Sequence, residues 1–577
     1  MRLFVPISVS GWPRIFSRWD IVAVLLILGL LAFLAEASRH LLQPLVELQH
    51  KPVSLDPANL PEYAARTTLR MLVAMVLSLV FTFTYATLAA KNRYAERLLV
   101  PLLDILQSVP ILGFISITVV FFMALAPGRV LGAEFAAIFA IFTSQAWNMA
   151  FSFYQSLRTV PTELVEASRN FRLSPWMSFW RIDVPFAMPQ LIWNMMLSMS
   201  GSWFFVVASE AISVGNTTIT LPGVGSYIAL AIEHRDLAAV GYAIITMLIV
   251  ILIYDQVLFR PLVAWADRFR FEQEPGMTAP KSWVLNVLRR SRLVDRLTRP
   301  FAALWRQLLL ARWSKDKPQR QEERASPAQS RWVAFLWVVI AVALMALALR
   351  GVIVFVMQGI TMSDVATTLL LGLATLTRIV VLIALATAVW VPIGIWVGTR
   401  PRFANVVQPI AQFLAAFPAN VLFPIAVSVI VALKLNPNIW LSPLMILGTQ
   451  WYILFNVVAG AIAIPAELRA AGVNFRVRGW LWWRRIAIPA VLPYYVTGAI
   501  TACGGSWNAS IVAEVASWGD EHLEAKGLGA YIAQATDAGD FHHIVLGIAV
   551  MSFFVVLVNR TFWRPLYLYA ERKFRLG

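Results

Sequence analysis

The chain has 577 residues, of which 59% are hydrophobic and only 14% are charged. Soluble domains carry about 25% charged residues, so this composition excludes a soluble enzyme, a secreted disulfide scaffold and a disordered tail. The single cysteine, Cys503, cannot form an internal disulfide and gives no spacing typical of a metal site. The net charge of +17 indicates basic cytoplasmic loops of a membrane protein rather than nucleic-acid binding.

Apolar stretches long enough to cross a bilayer recur along the whole chain. The first six are Ile21–Ala35, Met71–Ala90, Ile105–Ala126, Phe135–Leu157, Phe186–Ser209 and Leu237–Tyr254. The other six are Trp332–Leu349, Ile379–Thr399, Phe403–Leu433, Leu435–Ala466, Ile486–Ala513 and His543–Val558. The sequence therefore predicts an all-α integral membrane protein with about twelve transmembrane helices.

The loop charges predict the orientation of these spans. Residues 260–331 hold sixteen Lys or Arg and seven Asp or Glu, a balance of 16 − 7 = +9, whereas Gly519–Asp540 holds five acids and one base. Basic loops stay in the cytoplasm, so we expect both termini and the central segment inside. The first span ends in Ala35-Glu36-Ala37, which is similar to a signal-peptidase site. The second half has an equivalent apolar stretch, Trp332–Leu349, which lies too late in the chain to be a leader. A stretch that occurs in both halves favours a retained helix over a cleaved leader.

The sequence repeats itself at an offset of 304 residues. Across positions 161–189, 12 of 29 residues are identical to those at 465–493. Nearer the N-terminus the offset is 308, as in Arg70 with Arg378 and Pro110 with Pro418. Two six-span halves that enter the membrane in the same direction are parallel repeats. We predict a first transmembrane domain at 1–271, a cytoplasmic linker at 272–330 and a second transmembrane domain at 331–577. Within the linker we expect a surface helix at Trp283–Trp313 and a flexible tether at Ser314–Ser330.

The repeated segments 161–189 and 465–493 follow the fourth span of each half. The first reads Glu166-Ala167-Ser168 and closes on Pro185 and Pro189, and the second reads Ala470-Ala471-Gly472 and closes on Pro489 and Pro493. This pattern resembles the EAA loop of binding-protein-dependent ABC transporter permeases. The resemblance implies coupling helices that dock on a separate ATPase, through Glu163, Glu166, Ala167, Ser168, Arg172, Glu467, Ala471, Gly472 and Arg476.

Two departures from the family pattern concern these loops. Arg172 and Arg476 stand where the family has glycine, and the second copy lacks the leading glutamate and has Glu467 three residues earlier. Glycine takes left-handed turns that arginine takes only with strain, so we expect the turn to differ from the family's.

A second pair of motifs lies near the outer ends of the fifth spans. Trp203, Glu210 and Gly223-Val224-Gly225-Ser226-Tyr227 recur as Trp507, Glu514 and Gly527-Leu528-Gly529-Ala530-Tyr531. They resemble the nitrate/sulfonate/taurine/bicarbonate branch of these permeases, which implies domains like those of type I ABC importers. A charge deep in a bilayer costs about 2.5–3.5 kcal/mol on insertion scales, so Arg70 should pair with Glu210 and Arg378 with Glu514. We expect the translocation path or its gate at Arg70, Trp203, Glu210, Arg378, Trp507, Asn508 and Glu514.

No phosphate-binding Gly-x-x-x-x-Gly-Lys-Ser/Thr motif occurs in the chain. We therefore expect no catalytic, cofactor or metal residues, and expect ATP and Mg²⁺ to be bound by two copies of a partner ATPase. The resemblance further implies an extracytoplasmic solute-binding protein, a bacterial inner membrane and import of a small anion. A secondary transporter built from parallel repeats is the main alternative, but its ion coupling needs ionisable groups near the midplane, where the long spans hold mainly amides. A passive channel or lipid scaffold is a third alternative, although neither has a use for duplicated loops.

Overall fold

The computed structural model describes residues 53–214, 217–269, 282–291, 358–519 and 521–574, with isolated positions at 22–29, 293–307 and 339–355. Within these residues, seven helices are long and apolar enough to cross a membrane, or eight if one bent pair is a single span, and three shorter apolar helices accompany them. The predicted all-α membrane architecture is confirmed. The predicted spans Ile21–Ala35 and Trp332–Leu349 and the tether Ser314–Ser330 lie wholly or largely outside the described residues.

The helices of the first half follow the predicted spans with one exception. They are Leu60–Lys91, Arg93–Ser108, Ile111–Leu125, Val130–Arg158, Thr162–Asn170, Val184–Glu210, Val224–Glu233 and Leu237–Tyr254. The prediction of one continuous span over Ile105–Ala126 is wrong, because Val109 and Pro110 are extended and separate two helices. Proline lacks the backbone N–H that a continuous helix needs and disfavours helical geometry in the residue before it.

The second half repeats this order with more interruptions. Its α-helices are Met362–Gly398, Pro401–Ala416, Phe423–Ala432, Pro437–Trp440, Leu444–Leu447, Gln450–Ile462, Ala466–Asn474, Gly479–Trp482, Ile488–Ala513, Leu528–Ala538, Phe541–Val558 and Arg564–Phe574. The predicted span Phe403–Leu433 is divided at Phe417 and Pro418, and Leu435–Ala466 is a broken helix with a bend of 43°. Pro418 accounts for the first break, and the 43° bend lies at Gly448 and Thr449, between Leu447 and Gln450.

Each half carries a short β-hairpin after its fifth span, which the sequence analysis did not predict. The first pairs Ala211–Val214 with Thr217–Thr220, and the second pairs Val515–Trp518 with Glu521–Glu524, both antiparallel. After each hairpin the chain forms a short apolar helix, Val224–Glu233 or Leu528–Ala538. These short helices place the Gly-x-Gly motifs at their N-terminal ends.

Each half also has two π-helical turns, and those of the two halves lie at repeat-related positions. Phe179–Asp183 corresponds to Trp483–Ala487, and Asp255–Phe259 corresponds to Asn559–Trp563. The second residue after the end of each turn is a proline: Pro185, Pro489, Pro261 and Pro565. The repeat seen in the sequence is therefore also a repeat of local backbone geometry.

Packing divides the described residues into two units. The first draws on 1–36, 159–192 and 253–322, and in it the linker helix Trp283–Arg290 packs on Arg260–Ala266. Val284 and Val287 of that helix are buried, whereas Trp283, Arg289 and Arg290 are exposed. The second unit contains the remaining residues of both halves. Both halves contribute side chains to its large apolar cluster, for example Ile115 from the first half and Val550 from the second. This grouping follows packing rather than the repeat, and the domain boundaries at 271/272 and 330/331 stay a prediction.

Candidate functional site

A buried cluster of charges joins three helices of the first half, Leu60–Lys91, Val130–Arg158 and Val184–Glu210. The Arg70 guanidinium donates from Nη1 to Glu210 Oε1 at 2.6 Å, and from Nε and Nη2 to the two oxygens of Glu134 at 2.6 and 2.7 Å. Only 3% of the Arg70 side chain is exposed. The predicted Arg70–Glu210 pair is present, and it is part of a triad with Glu134 that the sequence analysis missed.

Glu210 also receives a hydrogen bond from the short helix Val224–Glu233, in which the backbone N–H of Gly225 donates to Glu210 Oε2 at 2.7 Å. The Thr67 hydroxyl, on the helix Leu60–Lys91, donates to Glu210 Oε1 at 2.6 Å. A helix N-terminus carries unpaired N–H groups and partial positive charge, so it stabilises a carboxylate placed there. Glu210 therefore caps a helix that begins 14 residues later and has no side-chain cap from its own N-cap residue, Gly223.

The Gly-x-Gly motifs are explained by this arrangement. A methyl group on Gly223 would overlap the Glu210 carboxylate, and one on Gly225 would overlap the Val207 carbonyl oxygen. In the second half, a methyl group on Gly527 would overlap the Glu514 carboxylate. These glycines allow the backbone to approach the buried glutamates.

The second half has an equivalent cluster at repeat-related positions, but one of its charged groups is replaced by an uncharged one. Arg378 Nη1 donates to Glu514 Oε1 at 2.9 Å, and Glu514 Oε2 accepts from the Gly529 N–H at 2.7 Å. The predicted Arg378–Glu514 pair is therefore present. Asn438 lies beside Arg378, with Nη2 to Oδ1 at 3.3 Å, in the place that Glu134 occupies beside Arg70. Arg378 is 15% exposed, so the second cluster is more open and has one carboxylate fewer.

Trp203 and Trp507 lie in the interior of the protein. Each is 1% exposed, and the Trp507 ring stacks on Phe554 with centroids 6.3 Å apart. Neither indole is among the residues that line the central cavity described next.

A cavity of about 90 Å³ lies between the halves inside the second unit. Its wall is formed by both fifth-span helices and by the two helix breaks near residues 417 and 448. The lining residues are Ser200, Gly201, Phe204, Phe205, Ala415, Phe417, Ala419, Leu444, Met445, Gly448, Thr449, Tyr452, Gly505 and Ala509. All of these side chains are uncharged. Gly201 and Gly505 are repeat partners, and a methyl group on Gly201 would lie 3.0 Å from the Tyr452 hydroxyl.

Asn508 is next to the cavity-lining residue Ala509. Its Oδ1 accepts a 2.6 Å hydrogen bond from the backbone N–H of Ile111, which belongs to the other half. The expected position of Asn508 at the path is compatible with this geometry, because the contact joins the two halves beside the cavity.

The two repeated loops, 161–189 and 465–493, are called the inner loops because the sequence predicts that they face the cytoplasm. The first inner loop contains the helix Thr162–Asn170. Glu163 and Glu166 are exposed, Ala167 is half-buried, and the hydroxyl of the buried Ser168 lies 2.9 Å from that of Ser178 in the returning arm. In the second loop, helix Ala466–Asn474, Glu467 is exposed, Ala471 is half-buried and Gly472 is buried. A methyl group on Gly472 would lie 2.8 Å from the Ile486 side chain. Ser168 and Gly472 thus pack against their own loop rather than facing outward.

Both loop helices end in the same tight turn. Leu173 N–H donates to Ser168 O at 3.1 Å, and Val477 N–H donates to Gly472 O at 2.8 Å. These bonds define a Schellman motif whose left-handed residue is usually glycine. Arg172 and Arg476 occupy that position with φ of 48° and 51°. The expectation of a different turn was therefore wrong, because both arginines adopt the left-handed conformation themselves.

The residue before each arginine is an exposed aromatic. Phe171 is 77% exposed and Phe475 is 81% exposed, although both close the end of an inner loop helix. The two repeated loops share the triplet Asn-Phe-Arg, at 170–172 and 474–476, but the sequence alone assigned no role to its phenylalanine. The feature of the sequence that could have indicated a role is that the same apolar residue occurs at equivalent positions of two polar loops.

Comparisons with known proteins agree with this architecture. Residues 71–259 and 390–573 each match the family described as binding-protein-dependent transport system inner membrane component. The chain is 31% identical over 188 residues to the bicarbonate transport system permease protein CmpB of Synechocystis sp., covering 33% of this chain and 64% of the relative.

Two further relatives have different named substrates. The nitrate import permease protein NrtB of Synechocystis sp. is 26% identical over 202 residues, covering 35% of this chain and 70% of that protein. The glycine betaine/carnitine transport permease protein GbuB of Listeria monocytogenes is 27% identical over 192 residues, covering 33% of this chain and 62% of that protein.

Each relative matches about one third of this chain, and the chain spans less than two thirds of the length of CmpB and GbuB. The family model matches twice, once in each half. The predicted fusion of two permease domains in one multi-pass chain is therefore confirmed. The chain belongs to the family of inner membrane components of binding-protein-dependent transport systems.

Proposed function

We propose that the chain is the membrane-spanning subunit of an ATP-driven importer, in which two copies of an ATPase dock on the two inner loops. The observation that carries this proposal is a pair of equivalent surfaces, one with Phe171 and Arg172 and the other with Phe475 and Arg476. Aromatic residues and arginine are enriched at protein–protein interfaces relative to the rest of the protein surface. Two equivalent copies of this surface suit two copies of one partner.

The chain itself contributes no nucleotide chemistry in this proposal. ATP and Mg²⁺ are bound by the ATPase, and a solute-binding protein delivers solute to the outer face. The basic central segment and both termini lie in the cytoplasm, where the inner loops meet the ATPase. Membership in the permease family favours the importer over the secondary-transporter alternative, since a secondary transporter has no use for an ATPase-docking loop.

The solute is a small anion of the nitrate, sulfonate or bicarbonate type. The names of CmpB and NrtB and the motifs around Glu210 and Glu514 support this class. The central cavity offers hydroxyl groups and aromatic rings but no charged side chain among its lining residues. Such a lining binds an anion weakly, which suits a passage that must release what enters it.

The paired charges brace the outer ends of the helices that form the path. Arg70 ties the second span to the fifth span and, through Glu134, to the fourth. Arg378 does the same in the second half with Glu514 and Asn438. In this role the arginines position the gate and do not bind the solute directly.

Uptake into proteoliposomes tests the proposal. The chain is reconstituted with its ATPase and solute-binding protein, and labelled nitrate, bicarbonate, taurine and glycine betaine are offered separately. The proposal requires uptake that depends on ATP hydrolysis and prefers one of the anionic or sulfonate solutes. Uptake of glycine betaine alone would contradict the solute class, and uptake driven by an ion gradient without ATP would contradict the transport mechanism.

A further inference from the structure

Two hydrogen bonds join the halves beside the central cavity. Asn508 Oδ1 accepts from the Ile111 N–H at 2.6 Å, and Asn420 Nδ2 donates to the Phe204 carbonyl oxygen at 3.2 Å. In both bonds the side chain belongs to the second half and the backbone group belongs to the first. Phe204 lines the cavity, and Asn420 and Asn508 are each adjacent in sequence to a lining residue.

The bond to Asn508 satisfies a buried helix end that lacks a cap of its own. Ile111 is the first residue of the helix Ile111–Leu125, and the preceding Pro110 provides no side-chain cap. The first N–H groups of a helix have no partner within the helix itself. Asn508 supplies that partner from across the path, and its own Nδ2 donates to the Gly504 carbonyl at 3.2 Å.

The arrangement is one-sided although the halves are repeats. The repeat partner of Asn508 is Phe204, and the repeat partner of Asn420 is Leu112. Neither of those side chains can form an equivalent hydrogen bond. The two polar contacts are therefore not a consequence of the repeat, and only the second half provides their side chains.

Asn420 is incompletely bonded in this arrangement. The residue is 8% exposed, and its Oδ1 has no hydrogen-bond partner within the part of the chain that the structure describes. A buried amide oxygen without a partner is costly, and each such group needs an explanation. Water that enters when the halves separate would supply the missing partner. The Asn420 Oδ1 atom therefore lacks a hydrogen bond only in the closed arrangement.

We propose that Asn508 is a latch that holds the path closed at the central cavity, and that the unpaired oxygen of Asn420 makes this closed contact easier to release. Both bonds join backbone of one half to a side chain of the other, so both must break when the halves part for the solute. The two asparagines are positioning residues that set the balance between the closed and open path. The inference rests on the proposed function only in assuming that this cavity lies on the solute route.

Accessibility of the cavity tests the latch without a solute or an ATPase. In a Cys503→Ala background, Ser200→Cys places a thiol in the cavity wall, because Ser200 is a lining residue. The reaction rate of this thiol with a membrane-impermeant thiosulfonate, added to purified full-length protein in nanodiscs, reports how often the path opens. Asn508→Leu should raise that rate about three- to tenfold, the range for one lost hydrogen bond, whereas Asn420→Leu, which also removes the unpaired oxygen, should not raise it.

Two control variants separate a latch from general loosening. Asn508→Asp keeps an acceptor oxygen in either protonation state, so its rate should stay near that of the parent. Asn456→Leu removes an asparagine that bonds to Tyr452 O in its own helix, and it should leave the rate unchanged. A parent-like rate in Asn508→Leu overturns the latch, and a raised rate in Asn420→Leu overturns the role given to its unpaired oxygen. An equal increase in Asn456→Leu or Asn508→Asp overturns the latch as well.

This readout is independent of the proposed function. If the latch variants open the cavity but reconstituted uptake never depends on ATP, the latch stands and the ATP-driven importer fails. If uptake is ATP-driven and the rates do not respond to the latch variants, the importer stands and the latch fails. Should Asn508→Leu not assemble, Asn508→Ala removes the same acceptor oxygen and decides the matter in its place.

Discussion

Glu210 accepts hydrogen bonds from Arg70 and from the N-terminus of the short helix that follows the hairpin, so one carboxylate ties three elements together. Glu514 repeats this arrangement with Arg378. The difference between the halves lies in the third group, which is Glu134 in the first cluster and Asn438 in the second. Neutralising the repeated glutamates should therefore have unequal effects.

Glu514→Gln should destabilise the protein more than Glu210→Gln. After Glu210→Gln the Arg70 guanidinium still has Glu134, whereas after Glu514→Gln the Arg378 guanidinium keeps only the Asn438 amide. Breaking a buried ion pair costs about 3–5 kcal/mol, and partial exposure of Arg378 reduces this figure. Thermal unfolding of each variant in detergent measures the difference.

Asn438→Glu should compensate Glu514→Gln, because it copies the charge pattern of the first half. The expected result is a melting temperature of the double variant above that of Glu514→Gln alone. Purely additive losses in this double-mutant cycle would show that Asn438 and Arg378 do not interact.

Gly223→Ala should disrupt the first cluster, because its methyl group would overlap the Glu210 carboxylate. Overpacking of this kind typically costs about 1–3 kcal/mol. Gly241→Ala is the matched control, since it lies inside the helix Leu237–Tyr254 with open space around it. There, replacing glycine should be neutral or stabilising by about 0.5–1 kcal/mol. Equal melting temperatures of the two variants would argue against the close approach of Gly223 to Glu210.

The double variant Arg172→Glu with Arg476→Glu should lower ATPase stimulation and transport while membrane insertion stays normal. Removing one partner of a buried charge pair at an interface costs about 2–5 kcal/mol. Arg172→Gly with Arg476→Gly separates charge from conformation, because glycine relieves a left-handed strain of about 1–2 kcal/mol per residue. If the glycine variant couples as well as the parent, the arginines serve only the turn and not the partner.

Splitting the chain within Ser314–Ser330 should leave a functional complex when the halves are co-expressed. These residues lie outside the described structure, and the prediction rests on the contacts between halves elsewhere. Ile115 and Val550 share one core, and Trp193 stacks on Phe455 with ring centroids 5.3 Å apart. Co-purification of an affinity-tagged first half with the second half is the measurement. Correctly inserted halves that do not associate would assign the linker a structural role.

Much of the membrane architecture follows from local patterns in the sequence. The predicted span Leu237–Tyr254 has the observed bounds, and Phe186–Ser209 falls within the helix Val184–Glu210. The Arg70–Glu210 pair was predicted because the repeat and the helix length placed both charges at similar depth. Burial in a bilayer leaves an arginine few alternatives to a carboxylate.

Other features depend on contacts that no local pattern encodes. Glu134 begins a long apolar stretch and reads as the boundary of a span, so only the fold shows that it faces Arg70. The four-residue hairpin strands are too short to show an alternating pattern. The turn at Arg172 was mispredicted because a glycine preference was treated as a requirement. The bonds of Asn420 and Asn508 join residues more than 200 positions apart.

Counting the ATPase copies bound to variants of the inner loops tests the central claim most directly. Native mass spectrometry of the purified complex should show two copies on the parent chain, one on Phe171→Ala, one on Phe475→Ala and none on the double variant. Phe562→Ala, which truncates another exposed phenylalanine, should keep two copies. Two bound copies on the double variant would contradict the assignment of these loops as the ATPase docking sites.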